Sequence, residues 1–327
     1  MKAMIYEKFG GPEVLQLRDV GKPEPAEDEV LVRVHAASVN PFDWHMLTGM
    51  PYLARIEAGL RKPKTGRLGV DFAGTVDSVG ADVTRFKPGD EVFGGRTGAF
   101  AEYVPVREER AIALKPPGVS FEHAAAVGIA GVTALQGLRD KGRLHEGQHV
   151  LINGASGGVG TWGLQIAKAM GGEVTAVCSP RNVEQARQLG ADRVIDYTEQ
   201  DFTQNGRRYD LLLDIGGNRS WPEYKRALNA DGTIVIVGGP KTNRWIGPLW
   251  DRLLVRLRAI RDSRTVAAPF LASLNGDDLR IIGEWMESGN VTPAIERTYP
   301  LSEVPQALAY VGEGHARGKV VISIRES

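Results

Sequence analysis

The 327-residue chain holds a single cysteine, Cys178, so no disulfide can close within it. It has no excess of either charge. Forty acidic and forty basic side chains cancel, which removes the global field that would recruit nucleic acid or an anionic membrane. No uninterrupted apolar run approaches the roughly 20 residues that span a bilayer. The opening stretch MKAMIYEKFG has neither the basic n-region nor the apolar h-region of a secretory signal. These absences lead us to expect a reducing cytoplasm and a small-molecule partner, without stable membrane insertion. What is present is apolar mass: 42% hydrophobic residues, enough for real cores, on a length that admits two domains.

The chain is organised around HVLINGASGGVG, His149 to Gly160. Val150 to Ile152 suit a buried strand, Gly154, Gly157 and Gly160 recur every third position, and Leu164, Ile166, Ala167 and Met170 follow at helical spacing. Strand, tight turn and helix in that order aim the free amides of a helix N-terminus at a pyrophosphate. Ser156, Gly158 and Val159 complete the turn. Further strands are expected at Glu173–Cys178, Arg193–Asp196, Tyr209–Asp214 and Thr233–Val237, with helices at Val183–Leu189 and Trp221–Leu228. Alternating strands and helices predict a doubly wound α/β sheet of parallel strands, the Rossmann arrangement.

Charge selects the dinucleotide. An NAD site places a carboxylate about 20 residues past the first glycine. Here that place reads Cys178, Ser179, Pro180, Arg181, Asn182. A hydroxyl and a guanidinium suit a 2′-phosphate, so NADPH is expected, with Ser179 and Arg181 as its readers. A solvated surface Arg is the competing reading, and Tyr197 either flanks the same phosphate or packs. Gly216-Gly217 and Gly238-Gly239, after the fourth and fifth strands, are expected to admit cofactor backbone contacts. Thr133 either reaches the nicotinamide or bonds back to its own helix.

Residues 1 to about 118 follow a different period. Valines alternate with polar residues in Glu29–His35, and Gly74–Val79, Glu91–Phe93 and Ala101–Val104 repeat the pattern between Gly, Pro and Asp punctuation. This predicts an antiparallel, barrel-like β domain, the candidate for holding substrate.

In order, GDEVFG (89–94), GAFAEYV (98–104), AAAVGIAGVTALQGL (124–138), INGASGGVG (152–160), LGADRVIDY (189–197) and GKVVI (318–322) resemble the medium-chain dehydrogenase/reductase superfamily nearly end to end. Within it, the chain is similar to the zinc-free quinone oxidoreductase and enone reductase branch. The resemblance implies a GroES-like catalytic domain from residues 1–118, completed by 273–327, with a Rossmann domain at 119–272 between them. It also implies NADPH-dependent reduction of quinones or of carbon–carbon double bonds conjugated to carbonyls. In SVNPFDW, Asn40 stands where the superfamily's zinc-binding cysteine would be. In GVDFAG, Val70 stands where its histidine would be. With Cys178 in a Rossmann strand, neither zinc site of the superfamily can be assembled. His145 to His149 matches the literal H-E-x-x-H of zinc proteases, but Gly147 interrupts it and it runs into a strand. The motif works only on a helix.

Without metal, the reaction depends on placement and polarisation. The nicotinamide, expected between the domains, would deliver hydride to an enone β-carbon or a quinone carbon, and the developing oxyanion needs a donor. Asn40 is the first candidate, held extended by Pro41. An Asx-turn that merely begins a loop is its alternative. Asp43 is expected to orient its neighbours. His45, where plant-type enone reductases often have lysine, and Tyr52, on the long basic stretch Thr48–Arg67, are candidate proton donors; a surface histidine and a stacked tyrosine are the plain readings. Residues 241–264 read as a packed helix, a partner interface or a membrane-surface helix. An apolar edge strand at Thr265–Leu271 leads to an expected homodimer. The tail should supply helices at Gly276–Ser288 and Glu303–Tyr310 and a last strand at Lys319–Ile324. The alternatives are a reductase or dehydrogenase of another carbonyl or alcohol, and an NADPH-binding protein without catalysis.

Overall fold

The computed structural model describes residues 1–217, 219–238, 255–257, 259, 262, 264–267 and 270–324. The chain divides into two compact units, Met1–Val132 with Ser273–Ser327, and Thr133–Ala272.

The first unit is built on a sheet whose spine is β3 (Glu29–Val39), paired antiparallel with β4 (Asp71–Val79), β6 (Tyr103–Arg107) and β15 (Lys319–Ser323). β5 (Glu91–Gly95) and β7 (Ile112–Leu114) extend it on one side, and β14 (Ile295–Pro300) joins β15 in parallel on the other. Alternation in β3 places Val30, Val32 and Val34 in a core shared with Phe72, Phe100, Val104 and Ile322. A two-stranded ribbon, β1 (Lys2–Ile5) with β2 (Gln16–Asp19), was not foreseen. The strand expected at Ala101–Val104 runs instead from Tyr103 to Arg107, because the Phe100 carbonyl accepts from Met4 N–H and Ala101 bridges Ala3.

A helix at Pro41–Thr48 was also not foreseen. Proline at its first position costs no hydrogen bond there, and Gly49, at φ 60°, closes it in the left-handed conformation. The long stretch after it folds into two short helical turns, Tyr52–Ala54 and Arg55–Ala58, with Ile56 and Leu60 turned to solvent.

The second unit holds a six-stranded sheet with every described pairing parallel, in the order β10–β9–β8–β11–β12–β13. The strands are β8 (His149–Asn153), β9 (Glu173–Cys178), β10 (Arg193–Asp196), β11 (Tyr209–Asp214), β12 (Leu228–Ile236) and β13 (Thr265–Val266). Counted within this unit, the order is 3-2-1-4-5-6, the dinucleotide-binding order, whose switch point lies at β8 and β11. The fold class is therefore α/β, with a β-rich unit and a Rossmann doubly wound parallel sheet. Of the edge strand expected at Thr265–Leu271, Thr265 and Val266 are paired, and residues 268 and 269 lie outside the described residues. Most of 241–264, with Gly239, lies outside the described residues. Among the described residues, no helix is long and apolar enough to cross a membrane.

The H-E-x-x-H match is not helical: Gly147 has φ 81°, its N–H bonds Gly171 O, and His149 opens β8. The two histidines therefore do not share a helix face.

Candidate functional site

In the second unit the glycine turn lies between β8 and a twelve-residue helix, Gly158–Ala169. Gly154, at φ 86°, takes a conformation that L side chains rarely adopt. A side chain on Gly160 would collide with the Gly154 carbonyl, so this glycine lets the helix close on the turn. Gly157 is the N-cap, and Thr161 N–H is the first to bond back, to Gly157 O at 2.9 Å. The amides of Gly158, Val159 and Gly160 are thus first-turn donors with no intrahelical acceptor. Ser156 to Val159 are half-buried while Gly160 to Ala167 are buried, so the first turn of the helix is open at its N-terminus. Asp196 and Cys178 are register partners, which brings Ser179 and Tyr197, the next residue of each strand, side by side. Tyr197 N–H donates to Cys178 O at 3.2 Å. Ser179 Oγ accepts from Asn182 Nδ2 at 3.0 Å, Arg181 is exposed, and Thr133 is buried.

A residue missed in the sequence holds the far wall of this site. Asp214 ends β11 fully buried, and its Oδ1 accepts from Asn153 Nδ2 and Gly217 N–H, both at 2.8 Å. Its Oδ2 accepts from Tyr224 Oη. One carboxyl thereby ties the end of the fingerprint strand to the Gly216-Gly217 turn. Burial pushes its pKa up, against the pull of those donors. A side chain on Gly238 would collide with Ile215 O, so this turn leaves no room beside the strand end.

In the first unit, Asn40 and Asp43 meet at the start of the Pro41–Thr48 helix, while His45 lies in its last turn. Two buried residues not singled out in the sequence join them, Asp71 and Lys319. Register explains the meeting. Ser38 faces Asp71 across β3 and β4, and Val320 faces Val39 across β15 and β3, which sets Lys319 beside Asn40. Asp71 Oδ2 accepts from Ser38 Oγ at 3.0 Å and Asn40 Nδ2 at 2.8 Å, with Lys319 Nζ at 3.5 Å. Its Oδ1 accepts from Ile129 N–H at 2.9 Å. Lys319 Nζ donates to Asn40 Oδ1 at 2.7 Å. Asp71 and Lys319 are 0% and 2% exposed. A charged residue placed on an inward strand position was the available signal for both.

The Asn40 amide, itself buried, thus has one N–H on Asp71 and its oxygen on Lys319. The same nitrogen also donates to Ser38 O at 3.5 Å, longer than a firm bond. Asp43 Oδ2 accepts from Asn40 N–H at 2.8 Å, and burial pushes its carboxyl up to about 7. The Asp71 charge pushes the same way, against Lys319 and the backbone donors. His45 Nδ1 lies 2.7 Å from Met50 O. A carbonyl only accepts, so the proton sits on Nδ1 and Nε2 is a donor only in the imidazolium form. Tyr52 is 39% exposed, with the Arg55 guanidinium 4.9 Å from its ring centre.

Comparison with known proteins agrees with both units. Residues 26–117 match the alcohol dehydrogenase GroES-like domain and residues 189–322 the zinc-binding dehydrogenase family. The human mitochondrial NAD(P)H oxidoreductase RTN4IP1 is 34% identical over 99% of this chain and 89% of its own. The 2-methylene-furan-3-one reductase of Solanum lycopersicum is 34% identical over 98% of this chain and 79% of its own. The structure of the quinone oxidoreductase from Coxiella burnetii superposes with a TM-score of 0.86 at 32% identity, covering 99% of both chains. The chain belongs to the medium-chain dehydrogenase/reductase superfamily, in its quinone oxidoreductase and enone reductase branch.

Proposed function

We propose that the chain is a zinc-independent, NADPH-dependent reductase that transfers hydride to a quinone or to the β-carbon of an α,β-unsaturated ketone or aldehyde. The observation that carries the reading is the open helix N-terminus behind Gly154 and Gly160, at the switch point of the parallel sheet. The amides of Gly158 to Gly160 would hold the pyrophosphate. Ser179 and exposed Arg181 would read the 2′-phosphate, with Tyr197 at its side. Gly216 would admit the cofactor backbone next to the turn that Asp214 fixes. Bound NADPH supplies the hydride.

Zinc independence rests on donor chemistry. Where relatives that bind zinc are expected to place cysteine and histidine, this chain has the carboxamide of Asn40 and the apolar Val70. The Lys319 ammonium lies 2.7 Å from the Asn40 oxygen and would repel a divalent cation. The residues present do not fit the metal, and no step passes through one.

The Asn40 N–H that is not on Asp71 would stabilise the developing oxyanion. The proton that completes reduction would come from the Tyr52 phenol or from His45 as imidazolium. The experiment is NADPH oxidation, with NADH alongside, against one-ring quinones, short alkenals, cyclic enones and saturated aldehydes. Turnover confined to quinones and enones, with NADPH preferred, supports the reading. Tight NADPH binding with no turnover on any of them points to a binding role, and turnover of saturated aldehydes points to another carbonyl reductase.

A further inference from the structure

We infer that Lys319 and Asp71 are a positioning pair that fixes which way the Asn40 carboxamide faces, the ammonium supplying the cation that this pocket lacks the donors to bind from solution. The inference rests on the proposed role of Asn40 for its kinetic readout; its geometry stands alone.

A carboxamide has two ends of similar shape, and only its neighbours decide which end points where. Here both neighbours are chemically one-sided. An ammonium has three donors and no acceptor, and an ionised carboxylate accepts only. Lys319 Nζ, 2.7 Å from Oδ1, and Asp71 Oδ2, 2.8 Å from Nδ2, therefore admit a single orientation. Turning the amide over would set NH2 against NH3+ and a carbonyl against a carboxylate, two repulsive contacts in a dry setting.

Asp71 is held as firmly. Ser38 Oγ and Ile129 N–H complete its shell, and Gly128 has no side chain because one would collide with this carboxylate. Lys319 also lies 3.5 Å from Val39 O. Four segments, the end of β3, β4, the helix beginning at Gly128 and β15, thus fix one amide.

The test compares Asn40→Ala, Lys319→Arg and the charge-neutral double variant Asp71→Asn/Lys319→Gln, each alone, and the last two also in the Asn40→Ala background. Thermal melting and NADPH affinity are read with kcat and KM on the best substrate of the panel. The double variant removes both charges of the pair together, so it is expected to melt cooperatively and to bind NADPH as the parent does. Its kcat should fall about 10- to 100-fold, less than the roughly 100- to 1,000-fold loss when an oxyanion donor is removed outright. Added to Asn40→Ala, the same change should cost no further kcat, because the amide it orients is gone. A merely structural pair would give additive losses.

Full kcat in the folded double variant, with Asn40→Ala impaired, overturns the pairing and leaves the donor reading intact. Full kcat in Asn40→Ala overturns both. Where the double variant does not fold, Lys319→Arg carries the test: a longer, forked cation should lower kcat at constant NADPH affinity, and only when Asn40 is present.

Discussion

Among the described residues, each unit buries one carboxylate without exposure, and the two are satisfied by opposite means. Asp71 in the first unit sits against a buried ammonium, a hydroxyl, a carboxamide and a backbone amide. Asp214 in the second meets only neutral donors, from Asn153, Gly217 and Tyr224, and burial raises its pKa. The charged arrangement dictates which way a donor faces; the neutral one ties a strand end to a glycine turn. A buried charge needs its countercharge to persist, whereas a carboxyl held by neutral donors loses one bond at a time.

That contrast sets the order of expected effects. Lys319→Met strands Asp71 and should cost about 3–5 kcal/mol of stability, read by denaturant unfolding; a loss under 1 kcal/mol would show that Asp71 finds another partner. Asp43 comes next, a further buried carboxyl, and burial raises its pKa. Its folded value near 7 exceeds the unfolded one, so its stabilising effect is complete in acid and is lost as pH rises from about 4 to 7. One proton corresponds to a slope of about 1.4 kcal/mol per pH unit inside that window. Asp43→Asn should remove this slope, checked by melting across the range.

In the neutral cluster, Tyr224→Phe should cost about 1–3 kcal/mol, with weaker NADPH binding as the Gly216-Gly217 turn loosens. A loss as large as that from Lys319→Met would erase the contrast. Arg181→Ala should weaken NADPH about 10- to 100-fold while sparing NADH, measured by fluorescence titration; equal losses would show that Arg181 does not read the 2′-phosphate. The smallest expected effect is none: prolonged chelation should leave NADPH oxidation as it was, and a fall restored by zinc would overturn the metal-free reading.

The second unit was the more legible in the sequence. Its strands are short apolar runs separated by helical periods, and its turn is written in glycines whose φ and packing leave little choice, as at Gly154 and Gly160. The first unit yielded its alternating strands but hid its chemistry. Asp71 and Lys319 each follow or precede valines, and nothing local marks them as neighbours. They meet only because β4 and β15 both flank β3. The helix at Pro41 was masked by an Asn-Pro pair that equally begins a loop. Asn40 was named as a candidate from its motif, while its lysine partner lies 279 residues away.

That separation orders the making of the protein. Synthesis runs from Asn40 through the whole second unit before Lys319 exists, so the Rossmann sheet can close while Asp71 still lacks its ammonium. A chain stopped between the second unit and Lys319, by a premature stop or a protease, keeps every residue of the glycine turn and lacks the ammonium of the pair that orients Asn40. Such a fragment would carry the apparatus for holding a dinucleotide without the device that aims the amide, and the last strand serves as a completeness check on the molecule.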